Sequence, residues 1–145
     1  MIREVTRSDA TRVAELLHEL WPDKELEVAG WDEVLDHYLA EPHYWCYGYD
    51  EEGRLKGLVT VSFRWSLFHG GEVALIEDLV VEGGQRGRGI GRSLVGFVEE
   101  RVAREGRART IEVNSDFHRE AAQRFWERCG YVRLAFQYRK ELTPG

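Results

Sequence analysis

Apolar residues recur along this chain with two different periods, and each change of period marks a new element. Ile2–Val5 reads as a short opening strand. Ser8 or Asp9 can cap a helix, after which Ala10, Val13, Leu16, Leu17 and Leu20 recur at helical spacing until Pro22. A second helix is predicted from about Trp31 to Leu39, ended by Pro42. The pattern then becomes extended. Tyr44–Tyr49 is aromatic, Asp50-Glu51-Glu52-Gly53 is a turn, and Leu55–Leu67 alternates with strand formers such as Val59, Val61 and Phe63. His69-Gly70-Gly71 is a second hairpin turn before the apolar run Val73–Val81, which only Glu77 and Asp78 interrupt.

Helical spacing returns at Ile90, Leu94, Val95, Val98 and Val102, and stops near Gly106. Thr110–Val113 is a short strand. Ala121, Ala122, Phe125, Trp126 and Cys129 share one face of another helix, capped by Gly130, and Tyr131–Leu142 returns as strand. The predicted order is β-α-α-β-β-β-α-β-α-β. Hairpins come first and crossovers follow, so the class is α/β with a mixed sheet. The 145 residues carry no repeat, linker or low-complexity tract, which predicts one domain over residues 1–145.

Composition narrows the function. No apolar run is long enough to span a bilayer, and Met1-Ile2-Arg3-Glu4-Val5 lacks the apolar core of a signal peptide. A cytoplasmic protein with no membrane partner is expected. Cys46 and Cys129 form no C-x-x-C pair, and none of the five histidines sits in an H-E-x-x-H frame, so no metal site is expected. The net charge of -6 argues against nucleic acid as a partner and is compatible with a cationic substrate.

The most informative stretch is Gln85-Arg86-Gly87-Arg88-Gly89-Ile90-Gly91-Arg92-Ser93, between an apolar strand and an amphipathic helix. Its glycines let the backbone turn tightly and let a ligand approach. The helix N-terminus presents unpaired N–H groups and a partial positive charge, and Arg86, Arg88 and Arg92 add full charges. These features suit a pyrophosphate. A Walker loop fails twice, because Arg86 stands where its first Gly belongs and Arg92 where its Lys belongs. A dinucleotide fingerprint fails at its last position, which is again Arg92. The pattern R/Q-x-x-G-x-G/A is met by Arg86, Gly89 and Gly91.

With Ile76-Glu77-Asp78-Leu79-Val80-Val81 before this loop, Ile90–Val102 after it and Ala122-x-x-Phe125-Trp126-x-x-x-Gly130-Tyr131 downstream, the chain resembles the GNAT superfamily of N-acetyltransferases. The resemblance implies a mixed central sheet with splayed parallel strands, flanked by about four helices. It implies acetyl-CoA as co-substrate, with its pyrophosphate on Arg86, Gly87, Arg88, Gly89, Ile90, Gly91, Arg92 and Ser93. The pantetheine arm would pair with the backbone of Leu79, Val80 and Val81, and a bulge near Leu79 would aim an N–H at the thioester carbonyl. Asn114 and Trp126 are further contacts implied for the coenzyme.

The implied chemistry is direct attack of a primary amine in a ternary complex. Glu77 is the first candidate for the base, because burial within an apolar strand would raise its pKa. Asp78 is the second, and regular pairing would place it on the opposite face. Ile76–Leu79 resembles the matching strand of spermidine/spermine acetyltransferases. Leu20-Trp21-Pro22 and Tyr138-Arg139-Lys140 have look-alikes in aminoglycoside acetyltransferases. A small cationic amine is the implied acceptor, with Glu25, Glu27, Asp32, Glu33 and Asp36 lining an acidic cleft. The family's general-acid Tyr is replaced by Trp126, whose indole is no useful proton donor. Water, Tyr131 or Tyr138 can serve instead, or no acid is needed. A protein N-terminal or lysine acetyltransferase, and an acetyl-CoA-binding module without turnover, are the alternatives. The aromatic segment Phe136–Tyr138 is a candidate homodimer contact.

Overall fold

Strand β1 (Ile2–Glu4) opens a chain that continues through helices α1 (Ala10–Leu20) and α2 (Val28–Ala40) into strands β2 (Tyr44–Glu51), β3 (Arg54–Ser66) and β4 (Gly71–Val81). Helix α3 (Ile90–Glu105), strand β5 (Ala108–Val113) and helix α4 (Glu120–Arg128) follow. The computed structural model describes the backbone of residues 1–22, 28–116 and 119–142, with side chains from residue 30 rather than 28 in the middle segment. The chain divides by its contacts into two compact units, Met1–Val113 and Asn114–Gly145.

The first unit holds one five-stranded sheet in the order β1-β2-β3-β4-β5. The first four strands are antiparallel neighbours, and β5 runs parallel to β4. Local chemistry explains this. Glu52 and Gly53 both take positive φ, 54° and 82°, the left-handed pair that a tight β2–β3 hairpin requires. A parallel neighbour cannot be reached by a hairpin, so α3 forms the crossover from β4 to β5.

Helices cover both faces of the sheet. Val13 and Leu16 of α1 pack with Val5, Cys46, Leu55, Leu58 and Val80, and Trp31, Tyr38 and Leu39 of α2 close over them. Burying a side chain such as Leu16 contributes about 2 kcal/mol. On the other face, α3 buries Ile90, Leu94, Val95, Val98 and Val102. Gly57 makes this approach close: a Cβ there would lie 2.9 Å from Ile90 and 3.1 Å from Leu94. Thr6 N donates to Asp9 Oδ2 at 2.9 Å, and Arg3 grips the same carboxylate at 2.8 Å, which fixes the entry to α1. No helix among the described residues is long and apolar enough to cross a membrane.

Two expectations are corrected. Residues 131–142 form no strand. Val132, Leu134, Phe136 and Tyr138 do alternate as a strand face would, but all four are exposed, at 70 to 91%. A period of two specifies a face, whereas a strand also needs a partner for its backbone groups. The expected bulge near Leu79 lies instead at Glu77.

Candidate active site

The bulge decides how the two strand carboxylates are presented. Strands β3 and β4 pair as Leu58↔Val80, Val59↔Leu79 and Thr60↔Asp78, and the next pair is Val61↔Ile76. Glu77 is therefore the extra residue. Regular alternation would send Glu77 and Asp78 to opposite faces; the bulge turns both to one face. Their partners show this. Thr60 Oγ1 donates to Asp78 Oδ2 at 2.6 Å, and Ser62 Oγ donates to Glu77 Oε1 at 2.8 Å. Thr60 and Ser62 are two residues apart on β3 and so share a face.

The two carboxylates differ in surroundings. Glu77, expected to be buried, is exposed. Asp78 is the more enclosed group. Burial pushes its carboxyl above the usual range, the Thr60 hydrogen bond opposes that, and the Glu77 charge adds to it. Cys46 pairs with Thr60 on β2, so Cys46, Thr60 and Asp78 form one row across three strands. Burial, and then the nearby Asp78 charge, push the Cys46 thiol up to about 12. Tyr38 reaches the same face from α2. Its ring lies 4.7 Å from that of Tyr44, and burial followed by the Glu77 and Asp78 charges raises its phenol. Thr60 and Tyr38 carry no signal in the sequence. Each reads as an ordinary strand or helix residue until the fold brings it near Asp78.

Parallel pairing between β4 and β5 ends at Ile76↔Val113. From Glu77 to Val81, β4 has β3 on one side and, among the described residues, no strand on the other. One backbone edge of Leu79, Val80 and Val81 thus lies outside the sheet ladder. The Val80 side chain is buried in the core on the α1 side, so only its backbone can serve a ligand.

The glycine-rich loop comes next in the chain. Gly87 and Gly89 take φ of 84° and 82°, with Arg88 between them. Gly89 is the N-cap of α3 and the first helical bond is Ser93 N to Gly89 O at 3.0 Å, so the N–H groups of Ile90, Gly91 and Arg92 precede the helical ladder. Left-handed residues interleaved in this way curl N–H groups into a concave, anion-binding arc. A Cβ at Gly84, Gly87 or Gly89 would meet nothing within 4 Å, so the backbone is open to an incoming group. The Ile90 side chain is buried and anchors the helix, while Arg86, Arg92 and Ser93 are exposed. This cradle fits a pyrophosphate. Arg88 is engaged within the protein. Its guanidinium binds Glu51 at 2.7 and 3.2 Å and also Gln85, so its charge is already matched by the β2–β3 hairpin.

Asn114, Trp126 and Tyr131 belong to the second unit. Asn114 is exposed. Trp126 is buried, with the rings of Phe125 and Tyr131 at 5.1 and 5.2 Å. Gly130, at φ 92°, reverses the chain so that Tyr131 N donates to Trp126 O at 3.0 Å. Of the acidic residues before β2, Asp32 and Asp36 each lie 3.4 Å from Arg7, and Asp32, Glu33 and Asp36 are exposed. Glu25 and Glu27 lie outside the described residues.

Known proteins resemble the chain in sequence and in fold. The model of the acetyltransferase (GNAT) family matches residues 10–131. An aminoalkylphosphonate N-acetyltransferase of Salmonella typhimurium is 28% identical over 141 residues, covering 97% of this chain and 90% of the relative. A putative acetyltransferase of Agrobacterium tumefaciens superposes with a TM-score of 0.84 at 27% identity, covering 97% of this chain and 99% of that one. A structure described as a transcriptional regulator of Bacillus halodurans superposes with a TM-score of 0.88 at 21% identity, covering 98% and 99%. At that identity the likeness speaks for the fold alone.

Proposed function

Since the chain belongs to the acetyltransferase (GNAT) family and is an N-acetyltransferase, we propose that it transfers the acetyl group of acetyl-CoA to a small primary amine that arrives as its ammonium form. The observation that carries this is the Glu77 bulge, which sets two carboxylates on one face where β4 continues past its last pairing with β5. Bound acetyl-CoA supplies the acyl group as an activated thioester.

In this reading Asp78, not Glu77, is the base. It receives the ammonium proton, directly or through a water, and so releases the amine for direct attack in a ternary complex. A carboxylate is useful in that role when its pKa lies above the ordinary range, and Asp78 meets the condition through burial. Glu77, exposed and held by Ser62, attracts and orients the cation. The N–H groups from Gly87 to Gly91, with Arg86 and Arg92, would hold the pyrophosphate. Arg88 would shape the loop through Glu51 rather than neutralise phosphate. The free backbone edge of Leu79, Val80 and Val81 would take the pantetheine amides. For Ser93 the support is its place in the first turn of α3. For Asn114, Trp126 and Tyr131 it is their motif position alone.

The named acceptor of the Salmonella relative is an aminoalkylphosphonate, an amine that also carries a phosphonate. The feature it shares with a polyamine or an aminoglycoside is the amine that two carboxylates would receive. We further propose one catalytic domain over residues 1–145 that acts in the cytoplasm, without nucleic acid or membrane. A homodimer to which the exposed Phe136 and Tyr138 contribute belongs to the same reading. The test is thiol release from acetyl-CoA across aminoalkylphosphonates, polyamines, aminoglycosides, amino acids and short basic peptides. Release with one small-amine class supports the proposal. Release with peptides alone turns it to a protein acetyltransferase, and coenzyme binding with no release at all turns it to a binding module.

A further inference from the structure

The entry to the glycine loop is held from α1. Gly83 N donates to Glu19 Oε1 at 3.0 Å. One residue earlier, Glu82 Oε1 accepts from Arg12 Nη2 at 2.8 Å and from Arg54 Nη2 at 3.1 Å, and Glu82 Oε2 accepts from Lys56 Nζ at 3.4 Å. These cations, Arg54 first, hold the Glu82 carboxyl down at about 2. Arg12 Nε also donates to Leu55 O at 2.9 Å, which ties α1 to β3. Glu82 N donates to Lys56 O at 2.9 Å and so extends the β3–β4 ladder past its last residue. Gln85 N then donates to Glu82 O at 2.9 Å and closes the turn that leads to Arg86. Arg12 and Glu19 are seven residues apart, two turns, and lie on one stripe of α1.

We propose that Arg12 and Glu19 of α1 are positioning residues for the coenzyme, acting through Glu82 and Gly83 to pre-order the loop that holds its pyrophosphate. The inference rests on the assignment of that loop to the pyrophosphate. Neither α1 residue is in the loop. Their contribution is to fix the two residues from which it springs, so that its N–H groups are aimed before the anion arrives. Without that constraint, binding must supply the ordering entropy of the loop. Glu19 is exposed and reaches the loop through Gly83 N, so its removal tests positioning with little effect on the core.

The experiment is calorimetric binding of coenzyme A to the parent, E19A and E19Q, alongside turnover with acetyl-CoA and with S-acetylpantetheine, which lacks the pyrophosphate. E19A should bind coenzyme A about ten-fold more weakly, since a charge-assisted hydrogen bond and a preorganised loop are both lost. E19Q keeps an acceptor oxygen and should restore affinity to within about two-fold of the parent. At saturating acetyl-CoA the maximal rate should be unchanged, and all three proteins should use S-acetylpantetheine alike. Parent affinity in a folded E19A overturns the inference, as does an equal loss with S-acetylpantetheine. A parent that binds no coenzyme A overturns the loop reading and this inference together, which separates the two failures.

Discussion

Thr60 Oγ1 lies 2.6 Å from Asp78 Oδ2, donating across the β3–β4 ladder to the one strand carboxylate that burial holds above the ordinary range. The two influences oppose each other. Burial favours the neutral acid, and the Thr60 hydrogen bond favours the anion.

Removing the hydroxyl tests that balance. Thr60→Val keeps the shape and deletes the donor, so the Asp78 carboxyl should rise further. The acidic limb of the kcat/KM profile should then move to higher pH, by about one unit if the bond is worth what a charge-assisted hydrogen bond usually is. An unmoved limb in a folded protein would take the base away from Asp78.

Asp78→Asn should lower kcat by about a hundred-fold or more, the range typical of a lost general base. Its effect on stability has the opposite sign. A carboxyl raised by folding binds more protons in the native than in the unfolded state, so it costs stability as pH rises from its unfolded pKa through its folded one. Above that window the Asn variant should melt no lower than the parent, and higher if burial is the dominant cost. Melting curves at several pH values read this directly.

Glu77→Gln should behave differently, because Glu77 is exposed and stands on the bulge. KM for the amine should rise by about two- to five-fold, as expected for one screened, exposed charge facing a cation, with the acidic limb unmoved. A shifted limb would restore Glu77 as the base.

Gly89→Val places a β-branched side chain at φ 82°, a conformation that such residues rarely adopt. Coenzyme binding should fall by more than about ten-fold while the fold, judged by circular dichroism, persists. Unchanged affinity would remove the loop assignment.

Gly57→Val probes the seat of α3. Its Cβ would lie 2.9 Å from the Ile90 side chain and 3.1 Å from that of Leu94, so the packing there must give. A loss of about 1–3 kcal/mol in denaturant unfolding is expected, as overpacking usually costs.

Much of the glycine loop was legible because its determinants are local. Gly87 and Gly89 permit positive φ, Gly89 caps α3, and the apolar stripe from Ile90 to Val102 states where the helix faces. The strand carboxylates were legible as a pair but not in their surroundings. Pleat alternation on β4 alone sends Glu77 and Asp78 to opposite faces. The residue that overrides it is on another strand: Val61 pairs with Ile76 where regular register would give Glu77. Arg88 shows the same limit, for nothing near it in sequence announces Glu51, thirty-seven positions away, as its partner. At the C-terminus the alternation from Val132 to Tyr138 is as regular as any strand's, yet residues 131–142 form none.

The sequence by itself determined the features that depend on spacing and on each residue's own conformational freedom: the order of elements as far as α4, the two periods, the loop's glycines and the family. The tertiary structure decided the features that depend on pairing between distant segments. It set the β3–β4 register that makes Glu77 a bulge and Asp78 the enclosed acid, the end of β4–β5 pairing at Ile76↔Val113, and the grip of Arg12 and Glu19 on the start of the loop. The physical reason is that a side chain's periodicity is a local property. Its pKa and its partners are set by whatever the fold brings within a few ångströms of it.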